Sequence, residues 1–177
     1  GSFHQHYGRE NVVRNNILAF SRQHQIQATR VEPHLSFTFE QNLVYWTSGP
    51  ALAGPWDKMK VESRNNLYWN DAGAKVLFAG KPLEDWQKAG REQGSVILDP
   101  LFVDAGKRDF RLKPESPVLK LGFKPFDFSK AGVYGDAAWI AKAKSVPYPP
   151  LALPPARARA NAALAGPLPR PQAGAGR

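Results

Sequence analysis

Two histidines, His4 and His6, stand two residues apart near the start of a 177-residue chain that has four histidines and no cysteine. On a β-strand that spacing sends both imidazoles to the same face. Such a pair can bind sugar hydroxyls, work as acid and base near neutral pH, or supply two ligands to zinc. Zinc needs a third ligand, and none is readable. The lack of cysteine also removes thiolate sites and thiol nucleophiles. No metal and no cofactor is expected.

Further along, Arg30, Glu32 and His34 crowd around Pro33. An arginine can hold a substrate carboxylate bidentately while a neighbouring base removes a proton beside it. The same three residues would also suit a loop held by its own Arg–Glu ion pair. Gln25 and Gln27 repeat the spacing of His4 and His6 and are read as substrate-binding groups on the same face. Trp56, in the turn Gly54-Pro55-Trp56-Asp57, is the tryptophan expected to be exposed and able to stack on a pyranose. Trp46, by its place in a repeat, is expected in the core. Glycoside hydrolysis needs two carboxylates, ~5–5.5 Å apart for retention or ~6.5–9.5 Å for inversion. Only Glu32 and Glu40 occupy outward positions, at different heights. Calcium would need several converging carboxylates, and no acidic cluster is present.

The elements that must position these groups are short strands. Leu35, Phe37 and Phe39 alternate with His34, Ser36, Thr38 and Glu40, and Phe3, Gln5 and Tyr7 alternate with His4 and His6. That is the period of a half-buried strand. An internal repeat organises them. Residues 13–20 (VRNNILAF) align with 39–46 (FEQNLVYW) and with 63–70 (SRNNLYWN), placing Asn16, Asn42 and Asn66 at intervals of 26 and 24 residues. One such unit cannot bury its apolar face alone, whereas stacked units share a core, so the pattern predicts the coils of a β-solenoid. Asparagine at equivalent turns tolerates left-handed geometry and can hydrogen-bond to its copies above and below. Residues 51–53 and 75–78 are expected to continue the strand row that starts at His4. Pro82–Gly90 reads as a short capping helix, with Leu83, Trp86 and Ala89 on one face and Glu84 and Asp85 in its first turn.

Three zones follow: coils over 1–80, a capping helix and closing segment over 81–141, and a Pro/Ala/Arg-rich tail over 142–177 that is expected to be disordered. The tail explains most of the net charge of +9. From Lys142 onward there are six basic residues and no acidic one, leaving 18 basic and 15 acidic in the other 141. A body so balanced, without a basic groove lined by aromatics, argues against nucleic acid as partner. No membrane span is present, and the polar first residues are not a signal peptide.

Residues 1–17 (GSFHQHYGRENVVRNNI), then 95–104 (SVILDPLFVD) and 109–118 (DFRLKPESPV), resemble right-handed parallel β-helix proteins of the pectate-lyase-like superfamily. The resemblance implies an all-β, right-handed parallel β-helix of which this chain is the C-terminal part. It also implies a secreted or periplasmic carbohydrate-active protein, monomeric at full length. Such a protein is a glycoside hydrolase or a polysaccharide lyase, the former slightly favoured. The alternative is a non-catalytic carbohydrate-binding or surface scaffold. In that superfamily the polysaccharide lies along the outward face of one parallel sheet. The resemblance therefore places His4, His6, Gln25, Gln27 and Arg30 near the groove, with Glu32 and His34 on the adjoining loop. His4, His6, Arg30, Glu32 and His34 are the catalytic candidates. Gln25, Gln27 and Trp56 are the substrate-binding ones.

Overall fold

The computed structural model describes residues 1–128 and 131–147. Gly1–Asp127 form one compact unit and the chain from Phe128 forms another.

The first unit is an all-β parallel solenoid. Its first coil carries strands β1 (Phe3–Gln5), β2 (Asn11–Arg14) and β3 (Ile17–Ala19), and the second carries β4 (Ile26–Ala28), β5 (Phe37–Glu40) and β6 (Leu43–Trp46). The third has β7 (Leu52–Ala53), β8 (Val61–Arg64) and β9 (Leu67–Asn70). After helix α1 (Leu83–Lys88), β10 (Val96–Ile97) opens a fourth turn, and β11 (Phe102–Asp104) and β12 (Asp109–Leu112) form an antiparallel hairpin. Like strands stack into three sheets, β1–β4–β7, β2–β5–β8 and β3–β6–β9–β10, with every pairing between coils parallel.

The repeat sets the register of two sheets residue for residue. Val13 pairs with Phe39 and Phe39 with Ser63, while Ile17 pairs with Leu43 and Leu43 with Leu67. At each corner the residue before the repeated asparagine is left-handed: Asn15 at φ 59°, Gln41 at 53° and Asn65 at 53°. The repeated asparagines themselves are not. This corrects the expectation that they absorb the strained geometry, and it frees their side chains for a ladder. Asn42 Oδ1 accepts from the backbone N–H and Nδ2 of Asn16, both at 3.0 Å. Asn66 Oδ1 accepts likewise from Asn42, at 2.9 and 3.3 Å. Each following amide also reaches back, Asn42 Nδ2 to Val13 O and Asn66 Nδ2 to Phe39 O, both at 2.9 Å. The ladder ends on Ser95 Oγ, which accepts from Asn66 N at 2.8 Å, and on Glu92.

Alternation decides what fills the interior. Phe37, Phe39, Ile26, Val44, Trp46 and Tyr68 are fully buried there, with Phe78, Leu83 and Trp86 closing the far end. Trp46 is in the core as expected. Strand β6 is buried on both faces, because Leu43 and Tyr45 point the other way and pack with Leu67, Phe102, Val118 and Phe123. The closing hairpin and the turn over Pro117–Leu121 supply that outer layer. The outer face of β3–β6–β9–β10 is therefore covered by chain. Asp99 and Asp104 brace this segment, accepting from the backbone N–H of Leu101 and Lys107 at 2.8 and 3.0 Å.

Helix α1 lies within the span read from the sequence and buries Leu83 and Trp86, although Ala89 is exposed. Two other expectations need correction. Residues 75–78 add no strand to the β1–β4–β7 sheet. Phe78 instead makes an isolated antiparallel bridge to Lys81 and plugs the core. The tail does not begin at 142, since helix α2 (Ala137–Ser145), capped by Asp136, runs past it. The expected tail from residue 148 on lies outside the described residues. Among the described residues, no helix is long and apolar enough to cross a membrane.

Candidate functional site

The outward positions of β1–β4–β7 hold the histidine pair. His4 lies in β1 and His6 just after it, both exposed, while Gln5 between them turns inward and is buried. The neighbouring coil meets them with a register two residues from the one expected. His4 pairs with Gln27, and Thr29 comes opposite His6. A two-residue shift keeps every side chain on its face but changes its neighbour.

Thr29 becomes the centre of the cluster. Its hydroxyl donates to Gln5 O at 2.9 Å, so its single proton is spent. His4 Nε2, at 3.0 Å, and His6 Nδ1, at 3.3 Å, must then donate to Thr29 Oγ1. This fixes the neutral tautomers: His4 carries its proton on Nε2 and His6 on Nδ1. His4 Nδ1 and His6 Nε2 remain as acceptors. The two rings sit 5.9 Å apart, and His6 meets Tyr7 edge to face at 4.8 Å. Arg30 lies 5.4 Å over the Tyr7 ring, and Tyr7 is 64% exposed. The result is a polar and aromatic surface of His4, His6, Tyr7, Gln27, Thr29 and Arg30, open to solvent.

Arg30, Glu32 and His34 do not converge on one point. The Arg30 guanidinium turns toward Tyr7 and donates to Thr29 O at 3.2 Å. Glu32 faces the other way and accepts from Gly8 N at 3.2 Å and Gln5 Nε2 at 3.4 Å. His34 stands 3.5 Å from Glu32 and 3.1 Å from Gly8 O. Glu32 and His34 thus tie the second coil to the Gly8 turn of the first. Glu40, the other outward carboxylate, sits between Arg14 at 3.5 Å and Arg64 at 2.6 Å on the β2–β5–β8 sheet.

Two substrate-binding assignments are corrected. Gln25 is completely buried, its amide donating to Ser48 O at 3.0 Å and Ser21 O at 3.4 Å, because it fills the corner before β4. Trp56 is only 3% exposed. It packs edge to face on Phe37, and its Nε1 donates to Ala53 O at 2.9 Å. The turn that carries Trp56 folds it inward under α1, so it offers no stacking platform.

Sequence reasoning missed Glu92, which is left-handed at φ 49° and only 3% exposed. It accepts from Ser95 Oγ at 2.6 Å, Tyr68 OH at 2.9 Å and Asn66 Nδ2 at 3.0 Å. Burial pushes its carboxyl above the ordinary carboxylate range, against the pull of those donors and of Ser63. Burial also drives the Tyr68 hydroxyl well upward, with Glu92 adding to it. Glu92 occurs once, outside any repeat copy, so no spacing could point to it. Among the described residues, no group of three or more His, Asp or Glu side chains could hold a metal ion.

Comparison with protein families, curated proteins and solved structures gives no match to this chain.

Proposed function

We propose that the chain forms the C-terminal coils of a secreted, right-handed, pectate-lyase-like β-helix and binds a polysaccharide across the outward face of β1–β4–β7. One observation carries this reading. Thr29 holds both rings, beside the open Tyr7 ring and the Arg30 guanidinium, so that in the neutral form each leaves its other ring nitrogen free to accept a hydrogen bond. Hydroxyls, unlike simple ions, suit a surface that offers acceptors, donors and an aromatic face within one patch. Successive coils repeat at ~4.8 Å, so such a row runs along an extended polymer. The right-handed sense belongs to the same proposal, since about 98% of parallel crossovers have that hand.

In this reading these coils bind and orient, and cleavage of the glycosidic bond by hydrolysis falls to carboxylates outside them. Glu32 and Glu40 are both engaged in holding coils together. The second reading, a non-catalytic carbohydrate-binding scaffold, draws on that same engagement. A panel of neutral and acidic oligosaccharides titrated against the chain tests the binding. His4→Ala with His6→Ala is expected to weaken the best ligand at least about tenfold. Unchanged affinity in the double variant would sink the assignment. Turnover of the same panel by a longer polypeptide containing these coils separates hydrolase from scaffold.

A further inference from the structure

A concavity opens beside helix α1, with a volume of about 310 Å³. Asp57, Ala79, Lys81, Asp85, Trp86 and Arg91 line it. Three segments form its walls, and each is fixed. Arg91 donates to Met59 O at 2.9 Å and to Trp56 O at 2.5 Å, and lies 5.0 Å over the Trp86 ring. These contacts clamp the 56–59 turn to the end of α1. The 78–81 turn is closed by reciprocal backbone bonds between Phe78 and Lys81, at 2.7 and 3.0 Å. Trp86 anchors α1 in the core. A concavity whose walls are held before any ligand arrives loses little ordering entropy on binding.

The charges divide into those already engaged and those left over. Arg91 is committed to two carbonyls and a ring, and Asp85 pairs with Lys88 at 3.4 Å. Asp57 and Lys81 have no side-chain hydrogen bond and no ion pair, with each other or with any described residue. One free carboxylate and one free ammonium therefore face the same space. A net anion would meet Asp57, and a net cation would meet Lys81, each with a like-charge penalty. Hydroxyl groups escape both, because each is donor and acceptor at once. The volume lies at the low end of ligand pockets, enough for one ring and not for a chain.

We propose that this concavity binds a single uncharged pyranose unit. Asp57 accepts from one ring hydroxyl, Lys81 donates to another, and Ala79 and the edge of Trp86 meet the apolar side of the ring. The identity of the ligand rests on the saccharide reading above, but the site does not depend on the β1–β4–β7 face.

The test is an NMR titration of the whole chain with methyl glucoside, glucuronate, glucosamine and glycine. Methyl glucoside is expected to bind with a Kd of roughly millimolar order. Its shifts should cluster at Asp57, Lys81 and the backbone of α1. Asp57→Ala and Lys81→Met should each weaken it about tenfold, and both residues are exposed, so each spectrum also reports whether the variant keeps the fold. His4→Ala with His6→Ala should leave it unchanged. Tighter binding of glucuronate, glucosamine or glycine would overturn the proposal. So would parental affinity in folded Asp57 and Lys81 variants, or no shifts at about 50 mM methyl glucoside. If methyl glucoside fails while oligosaccharide binding still depends on His4 and His6, this site alone is wrong. The opposite pattern refutes only the histidine face.

Discussion

Asn42 Oδ1 accepts two hydrogen bonds from the same residue, the backbone N–H and the Nδ2 of Asn16, each at 3.0 Å. Asn42 itself is fully buried and hands the same pair of donors on to Asn66. Every repeated asparagine therefore serves two coils, and the middle one is enclosed by both.

Replacing the enclosed residue should cost far more than replacing the outer one. Asn42→Ala takes the acceptor from the half-buried donors of Asn16 and the donor from the Val13 carbonyl, and is expected to lose about 2–4 kcal/mol. Asn16→Ala, at the half-exposed end, should lose about 1 kcal/mol. Urea denaturation measures both, with the slope unchanged if the denatured state is unaffected. Equal losses would mean that the ladder does not act as a continuous unit.

Glu92 predicts a pH dependence of stability. Its folded pKa lies above the ordinary value of 4.5, chiefly through burial. Between the unfolded and folded values the native state holds the proton more firmly than the unfolded chain. Stability should thus fall as pH rises through that window, by at most about 1.4 kcal/mol per pH unit. Glu92→Gln removes the titration. Its stability measured from pH 4 upward should be flatter than the parent's, and parallel curves would refute the prediction.

Thr29 gives a spectroscopic prediction. Nitrogen-15 spectra of the imidazoles at neutral pH should show the Nε2–H tautomer for His4 and the Nδ1–H tautomer for His6. Thr29→Val keeps the shape of the side chain but removes the acceptor, so both preferences should relax. Affinity for the best oligosaccharide is expected to drop about fivefold with it. Finding His6 as Nε2–H in the parent would contradict the hydroxyl geometry.

Gly54 lies where two coils leave no room for a side chain. A Cβ there would stand 1.7 Å from Ala28 O, and the backbone is at φ +103°. Gly54→Ala should cost about 3 kcal/mol or more, through the clash and the left-handed strain together. At Gly73, φ is +75° but no atom lies within 4 Å of the added carbon. Gly73→Ala should therefore cost only about 1 kcal/mol. Thermal melts of the pair separate contact from conformation.

The coils were legible in the sequence because three copies of one corner recur with their asparagines at matching places. That corner fixes the register of Val13, Phe39 and Ser63 without any long-range information. The β1–β4–β7 sheet was less legible, because the turns leading into it differ in length and composition. His4 meets Gln27 and not Gln25 for that reason. Gln25 was misplaced by an alternation that holds inside strands and fails at corners, and Trp56 by its place in a turn, where a side chain can still fold into the core between coils. Glu92 and Ser95 were invisible as a site, since terminating a ladder requires residue types different from those that repeat.

The ladder also has a direction. Its carbonyl oxygens all receive from the coil before, so among the described residues Asn16 Oδ1 receives nothing, while the opposite end is closed on Ser95 and Glu92. A copy approaching from behind would find the last coil occupied by α1 and the hairpin. Head-to-tail filaments, the usual hazard of a heterologous contact that does not close, are thus opposed at the end that α1 and the hairpin cover.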